Sequence, residues 1–341
     1  MNDLATVVPF TPASYKSGYK PIWCPGCGDY SVLSSITKAL AKLALAPEDV
    51  AVVSGIGCSS KAPTYFVGAS HGFNTVHGRM PSVMTGANLA NRDLLYLGVS
   101  GDGDSASIGL GQFANAMRRG VRMAYIVENN GVYGLTKGQF SATADRGSKS
   151  KKGVVNSDSP IDLVGLALQL GATYVARGFS GDKAQLVPLI KGAIGHGGAA
   201  FIDIISPCVA FNNHGGSTKS YDYVREHNEA VSRIDFFTSR DEIVTQYEPG
   251  EVVEVEQHDG KTLRLRKLHD DYDPSDRYGA LSYINEHQAR GEVVTGLLYL
   301  DPDATDLHAS LNTSDTPLAA FDSKQLCPGA EALKKLNASL R

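Results

Sequence analysis

Residues 94–104 read LLYLGVSGDGD, and residues 122–131 read RMAYIVENNG. Each stretch passes from an apolar run of strand length into a turn that contains glycine with aspartate or asparagine. The residues between them, 105–119, predict a helix. Because ligands bind at the carboxyl ends of the strands in an open α/β sheet, we expect both turns to line one site.

Strand and helix patterns alternate on both sides of this stretch. Apolar runs predict strands at 49–54, 94–99, 122–127, 173–176 and 201–205, and helical spacing predicts helices at 30–45, 82–91, 105–119, 162–170 and 183–194. This alternation predicts an α/β fold with a mostly parallel sheet that helices cover on both faces. Beyond residue 220 the chain is more charged. We therefore expect one α/β domain at 1–215 and a C-terminal extension or small subdomain at 216–341, packed on the core or on a partner subunit.

Composition excludes several classes of protein. The 341 residues carry 32 Lys and Arg against 36 Asp and Glu, a net charge of −4, with no long basic run, so a polybasic nucleic-acid binder is excluded. No stretch approaches the roughly 20 apolar residues of a membrane-spanning helix. The N-terminus lacks the pattern of a secretory signal, and the five cysteines are an odd number, so a reducing cytoplasmic location is expected.

The two polar turns carry the oxygen ligands that a magnesium-bound diphosphate requires. Asp102 offers a carboxylate, Asn130 an amide oxygen and Val132 a backbone carbonyl, which suit a hard cation. Gly101 and Gly103 allow backbone N–H groups to approach phosphate oxygens at a helix start. Each turn taken singly has an ordinary alternative, as an acidic helix cap or a plain turn. Their joint appearance at adjacent strand ends favours the magnesium-diphosphate site.

Four cysteines form a second candidate site. Cys58 and Cys208 each follow a predicted strand, and Cys24 and Cys27 precede the first predicted helix. Four thiolates are the usual ligands of a [4Fe–4S] cluster. The Cys24–Cys27 pair is also compatible with half a zinc site or a redox dithiol, and Cys58 and Cys208 with small buried side chains. Cys327 lies in a polar tail and is left out of the set.

A series of motifs resembles one enzyme family. They are WCPGCGDY at 23–30, GIGCSS at 55–60, HGR at 77–79, PSVMTGANLAN at 81–91, GDGD at 101–104, NNGVYGLTKGQ at 129–139 and SPC at 206–208. The GDGD and NNGVYGLTKGQ pair resembles the diphosphate-binding domain of thiamine diphosphate enzymes. The whole series, in this order over residues 15–215, resembles the β subunit of 2-oxoacid:ferredoxin oxidoreductases, and most of all that of the 2-oxoglutarate enzymes.

The resemblance implies a set of cofactor residues. Thiamine diphosphate and its Mg²⁺ would be held by Asp102, Asn130 and Val132 as metal ligands, within a larger cofactor-binding set of Ile56, Gly57, Cys58, Ser59, His77, Gly78, Gly101, Asp102, Gly103, Asp104, Asn130, Val132, Tyr133, Gly134, Leu135 and Thr136. It assigns one [4Fe–4S] cluster to Cys24, Cys27, Cys58 and Cys208. One departure from many relatives is that 108–113 reads IGLGQF where they carry a GNH-type motif.

The resemblance also implies a reaction and partners. The expected reaction is the reversible, coenzyme A-dependent oxidative decarboxylation of 2-oxoglutarate to succinyl-CoA and CO₂, with electrons passing through the cluster to ferredoxin. Pyruvate or another 2-oxoacid is the alternative substrate. A separate α subunit would supply the pyrimidine-binding half and the activating glutamate, in an (αβ)₂ heterotetramer, so this chain alone would be inactive.

Three further features of the sequence have more than one interpretation. His77 is a candidate catalytic residue, at the diphosphate or the substrate carboxylate, but a core histidine is the alternative. Arg79 suits an anion or a structural ion pair. Lys149, Lys151 and Lys152 fit a solvated loop better than a docking patch. Two rival functions also stand beside the oxidoreductase: a non-catalytic zinc-binding α/β module and a thiamine-dependent decarboxylase that does not oxidise.

Overall fold

A computed structural model describes residues 10–66, 68–150, 153–211, 248, 250–256, 262–268, 272–327 and 329–340. A nine-stranded sheet runs through the described residues. Its strands are β1 Val50–Ser54, β2 His71–Asn74, β3 Leu95–Gly101, β4 Met123–Asn129, β7 Tyr174–Phe179, β8 Ala199–Ile205, β9 Val252–Glu256, β10 Thr262–Lys267 and β11 Val293–Leu300. A separate two-stranded hairpin pairs β5, Val132–Tyr133, with β6, Gln139–Phe140.

The strand order is β2-β1-β3-β4-β8-β7-β11-β10-β9, and the first six strands are all parallel. Every residue of β1, β4, β7 and β8 is buried, as expected for strands covered on both faces. The predicted mostly parallel α/β sheet is therefore confirmed. The carboxyl ends of the neighbouring strands β3 and β4 meet at one edge, where Gly101 pairs with Glu128.

Helices cover both faces of the sheet. They are α1 Asp29–Lys42, α2 Ala62–Tyr65, α3 Met80–Ala90, α4 Leu110–Arg118, α5 Leu163–Gln169, α6 Lys183–Gly195, α7 Arg277–Ala289, α8 Leu307–Leu311, α9 Ser323–Leu326 and α10 Gly329–Ser339. One apolar core lies beneath α3, α4, α5 and α7, and the other beneath α1 and α6. In the part of the chain that the structure describes, no helix has the length and apolar content needed to cross a bilayer.

The helix predicted at 105–119 differs from the observed one. A π-helical turn occupies Gly103–Ile108, and α4 begins only at Leu110. At the junction, the Gly109 N–H donates to the Asp104 carbonyl at 2.8 Å. A Cβ on Gly109 would lie 2.8 Å from the Gly78 carbonyl oxygen, so the backbone of another loop occupies the space beside it. This tertiary contact, which local spacing does not encode, explains the break.

The C-terminal segment contributes to the same sheet. β11 pairs antiparallel with β7, β10 runs parallel to β11, and β9 runs antiparallel to β10. Helix α7 packs its buried Ala280 and Ile284 into the core beneath α5. The boundary predicted at 215 stays a prediction, because 212–247 lie outside the described residues.

Candidate active site

A narrow cleft opens at the carboxyl ends of β1, β3 and β4. The residues around it come from the turns after these strands, from the start of α1 and from the hairpin. They are Asp29, Ile56, Gly57, Cys58, Ser59, Gly101, Asp102, Gly103, Asp104, Glu128, Asn130, Val132, Tyr133 and Gly134. Most of the residues predicted to bind the cofactor are therefore brought to one place by the order of the strands.

Asp102 is buried and is surrounded by hydrogen-bond donors. Its Oδ2 accepts the Gly131 N–H at 3.1 Å and the hydroxyls of Ser141 and Thr143, the latter at 2.5 Å. Its Oδ1 accepts the Asn130 N–H at 3.4 Å. These contacts tie the turn after β3 to the turn after β4. Hydrogen bonds to a carboxylate favour its charged form, which is the form that binds a cation.

Asp104 makes internal contacts. Its Oδ1 accepts the Gly78 N–H at 2.6 Å, and its Oδ2 accepts the Ser100 hydroxyl at 2.7 Å. A Cβ on Gly55 would overlap the same carboxylate, so only glycine fits there. The Asp104 side chain therefore holds the segment before α3, whereas a direct cofactor contact stays a prediction.

The hairpin forms one wall of the cleft. The Tyr133 hydroxyl donates to the Gly103 carbonyl at 2.9 Å, and a Cβ on Gly103 would collide with the Tyr133 ring. The Asn130 Oδ1 accepts the Val132 N–H at 3.1 Å, which closes the turn before β5. Leu135 and Thr136, predicted to contact the cofactor, are exposed and lie outside the residues that line the cleft.

The segment with the histidine candidate lies beside the cleft. Gly78 is buried with a φ of +68°, whereas His77 and Arg79 are exposed. Arg79 donates to the Gly78 carbonyl at 3.3 Å. Neither His77 nor Arg79 lines the cleft. The structure thus brings the backbone of this motif, rather than its histidine side chain, into contact with the GDGD turn.

The cysteines gather beside the hairpin. A Cβ on Gly134 would lie 3.5 Å from Cys208 Sγ and 3.7 Å from Cys58 Sγ, so the two thiols lie next to Gly134, and Cys58 itself lines the cleft. Burial raises the pKa of the Cys58 thiol to about 12, and the nearby Asp29, Cys208 and Cys24 add to that rise.

Cys27 belongs to the same group. Burial and then the Asp29 charge raise the pKa of its thiol, and Cys208 contributes in the same direction. The Cys27 N–H donates to the Cys24 carbonyl at 3.0 Å, within the CxxC turn. Within the described ranges, no three His, Cys, Asp or Glu side chains are arranged to hold one metal ion.

Comparisons with known proteins agree with this arrangement. Residues 55–204 match the thiamine pyrophosphate enzyme C-terminal TPP binding domain. The β subunit of the 2-oxoacid:ferredoxin oxidoreductase of Saccharolobus solfataricus is 43% identical over 229 residues, which are 66% of this chain and 72% of that protein. This chain belongs to the family of 2-oxoacid:ferredoxin oxidoreductase β subunits. It is thus a subunit of an oxidoreductase, and its thiamine pyrophosphate-binding domain is the one that the motifs predict.

Two further proteins that are similar to this chain have 2-oxoglutarate in their names. The 2-oxoglutarate oxidoreductase subunit KorB of Mycobacterium tuberculosis is 42% identical over 200 residues, 58% of this chain and 53% of that protein. A solved structure of the 2-oxoglutarate:ferredoxin oxidoreductase from Magnetococcus marinus, with 2-oxoglutarate, coenzyme A and succinyl-CoA bound, has a TM-score of 0.73 and 29% identity. The match covers 94% of this chain and 96% of that chain.

Two acidic residues of the β subunit were not predicted from the sequence. Asp29 and Glu128 are buried in the cleft wall, where their carboxyl groups lie within hydrogen-bonding reach of each other. Burial raises the pKa of both carboxyls, and Asp29 raises that of Glu128 further because two buried negative charges repel. Glu128 could have been predicted as a site residue, because it follows a predicted buried strand, where an ionised carboxylate is costly.

Proposed function

We propose that this chain is the β subunit of a 2-oxoglutarate:ferredoxin oxidoreductase. The reaction is the reversible conversion of 2-oxoglutarate and coenzyme A to succinyl-CoA and CO₂, with transfer of electrons to ferredoxin. The observation that carries the proposal is the position of Gly134, which lines the diphosphate cleft and lies next to the Sγ atoms of Cys58 and Cys208. The proposed site for a decarboxylating cofactor and the proposed thiol ligands are thus adjacent.

The substrate follows from the relatives. KorB of Mycobacterium tuberculosis and the Magnetococcus marinus enzyme are described as acting on or binding 2-oxoglutarate, whereas the Saccharolobus solfataricus protein is described only by 2-oxoacid. Pyruvate or another 2-oxoacid is the alternative substrate.

Asp102, Asn130 and Val132 are the proposed Mg²⁺ ligands. The chemistry of the donors fits, since a carboxylate, an amide oxygen and a backbone carbonyl are hard oxygen ligands. When bound, thiamine diphosphate supplies the electron sink on which a 2-oxoacid loses CO₂. The chain's own part is to orient the Asp102 carboxylate with four donors and to keep the segment of Gly78 against the site.

Cys24, Cys27, Cys58 and Cys208 are the proposed ligands of one [4Fe–4S] cluster. The thiols are near enough to influence one another's protonation, and a cluster takes four thiolates, each on its own iron. When bound, the cluster supplies one-electron transfer to ferredoxin. The Trp23 indole N–H donates to the Cys58 carbonyl at 2.8 Å and its ring packs against Tyr30 and Tyr65, so this chain shields the thiols with aromatic side chains.

The partners complete the site. The β-subunit names of the relatives imply an α subunit, and we assign to it the pyrimidine-binding half and the activating glutamate. His77, which is exposed in this chain, is proposed to act where the α subunit closes over the cleft. Further proposals are an (αβ)₂ assembly, coenzyme A as co-substrate, no nucleic-acid partner and a cytoplasmic location.

The test is a reduction assay on the complex purified without oxygen together with its co-purifying subunit. 2-Oxoglutarate or pyruvate is added with coenzyme A and an artificial one-electron acceptor. Reduction with 2-oxoglutarate but not with pyruvate supports the proposal. Reduction with pyruvate but not with 2-oxoglutarate would identify pyruvate as the substrate instead. A colourless protein that contains zinc and reduces nothing would support the zinc module. Thiamine-dependent CO₂ release without acceptor reduction would support the decarboxylase.

A further inference from the structure

The Asp102 carboxylate has two unequal sides. Oδ2 accepts three donors, from Gly131, Ser141 and Thr143, at short or ordinary distances. Oδ1 accepts the Asn130 N–H at 3.4 Å, which is a long contact. Three of the four hydrogen bonds described for this carboxylate therefore fall on Oδ2, and its orientation depends on the hydroxyls that hold Oδ2.

The Thr143 hydroxyl lies between Asp102 and a buried amide. Its Oγ1 is 2.5 Å from Asp102 Oδ2 and 3.0 Å from Asn129 Oδ1, so its single proton is shared between these two acceptors. The Asn129 Nδ2 donates to Asp203 Oδ1 at 3.0 Å. Because an ionised carboxylate only accepts hydrogen bonds, Asp203 obliges the amide to present its NH₂ group there and its carbonyl oxygen to Thr143.

Arg177 completes the connection. Its Nε donates to Asp203 Oδ2 at 2.9 Å, and its Nη2 donates to Asp162 Oδ1 at 2.5 Å. Arg177 and Asp203 are direct partners on β7 and β8, and Asn129 lies on the adjacent strand β4. Asp203 is fully buried, so its charge depends on the guanidinium for compensation.

A continuous set of buried polar contacts thus crosses three neighbouring strands and ends at the carboxylate in the cleft. We propose that Arg177 and Thr143 are positioning residues for Asp102: through Asp203 and Asn129 they hold its Oδ2, so that its Oδ1 is presented to Mg²⁺. This inference rests on the proposed function, since Asp102 is a proposed magnesium ligand. Residues that support a metal ligand typically change metal affinity or activity by about 10–100-fold when replaced.

The experiment measures the Mg²⁺ concentration that gives half-maximal binding of thiamine diphosphate to the assembled complex. Equilibrium dialysis follows removal of the metal with EDTA. The variants are Thr143→Val, Thr143→Ser, Arg177→Lys and the double variant Thr143→Val/Arg177→Lys. The matched controls are Thr37→Val, a buried threonine bonded to carbonyls of α1, and Arg266→Lys, an arginine paired with Glu292.

We expect Thr143→Val to raise the half-saturating Mg²⁺ concentration about 10-fold or more, and Thr143→Ser to restore it. Arg177→Lys keeps the positive charge but loses the planar guanidinium that binds two carboxylates. It should therefore raise the half-saturating Mg²⁺ concentration as well. The double variant should need no more Mg²⁺ for half-maximal binding than Thr143→Val does, because Thr143→Val already removes the hydroxyl that links Asn129 to Asp102. Both controls should match the unaltered complex.

Two results would overturn the inference. In one, Arg177→Lys lowers the melting temperature but leaves the Mg²⁺ dependence unchanged, as a purely structural ion pair would. In the other, the increases in the half-saturating Mg²⁺ concentration caused by the two single substitutions multiply in the double variant. A complex whose binding of thiamine diphosphate never depends on Mg²⁺ would instead refute the proposed metal site itself.

Discussion

The Asp104 carboxylate accepts the backbone N–H of Gly78 at 2.6 Å, which joins the turn after β3 to the segment before α3. The residue before Gly78 is the candidate His77, and the residues after Gly103 form the π-helical turn. One buried side chain therefore holds two loops of the cleft together. Its role in positioning is separate from the metal role proposed for Asp102.

Replacing Asp104 with asparagine should loosen this connection. The amide NH₂ would face the Gly78 N–H or the Ser100 hydroxyl, and hydrogen bonds to a buried charged group contribute about 1.5–3 kcal/mol. We expect Asp104→Asn to lower the free energy of unfolding by about that amount and to weaken thiamine diphosphate binding. Urea denaturation and equilibrium dialysis measure the two effects. The control is Asp303→Asn, at an exposed position. If Asp104→Asn changed neither the free energy of unfolding nor thiamine diphosphate binding, the positioning role would be contradicted.

Asp102→Ala should abolish the Mg²⁺-dependent binding of thiamine diphosphate. The substitution removes the carboxylate and leaves the donors of Gly131, Ser141 and Thr143 without their acceptor. The brown colour expected of the iron–sulfur protein should persist, because no cysteine is changed. Dialysis binding and the visible absorption spectrum report the two sites independently. Normal turnover by Asp102→Ala would show that the metal assignment is wrong.

Cys58→Ala should remove the iron–sulfur signal. It removes one proposed cluster ligand, a thiol that lies close to Gly134. We expect loss of the visible absorption and of the bound iron from a protein that still folds. Cys327→Ala is the matched control, since Cys327 is an exposed free thiol in the C-terminal tail. Full iron content in Cys58→Ala would exclude Cys58 as a ligand.

Asp162 should make stability fall in acid. Burial alone would raise the pKa of its carboxyl, but the Arg177 charge and hydrogen bonds outweigh burial and lower it. A carboxyl whose pKa is lower in the folded state contributes stability that is present above its unfolded pKa, near 3.8, and lost as pH falls through the folded value. Melting temperature measured from pH 6 to pH 2 should decline below about pH 4. Asp162→Asn should flatten that decline, and an identical decline would contradict the assignment.

Local patterns predicted the parallel half of the sheet well. The run 49–54 and the run 122–127 correspond to Val50–Ser54 and Met123–Asn129, because strands buried on both faces are continuous apolar runs. His71–Asn74 escaped prediction because this edge strand is short, polar and exposed along its whole length. The strands Thr262–Lys267 and Val293–Leu300 were missed as well, since the charged composition around them indicated an extension rather than more sheet.

The candidate site was predicted in its residue types but not in its contacts. The sequence placed Asp102 and Asp104 in one cofactor-binding set and named only Asp102 as a metal ligand, but the contact of Asp104 with the N–H of Gly78 is visible only in the fold. Asp29 precedes the helix predicted at 30–45, and its approach to Glu128 depends on the start of α1 lying near the end of β4. Such contacts join residues distant along the chain, and no local pattern contains them.

The sequence by itself determined the alternation of strands and helices, the polar turns at the ends of two strands and the four cysteines, because each is a property of neighbouring residues. The tertiary structure decided which carboxylates face donors, how Gly134 comes to lie next to two of the thiols, and how Arg177 connects with Asp102. These depend on the order β3-β4-β8-β7. That order brings together side chains that are far apart in sequence.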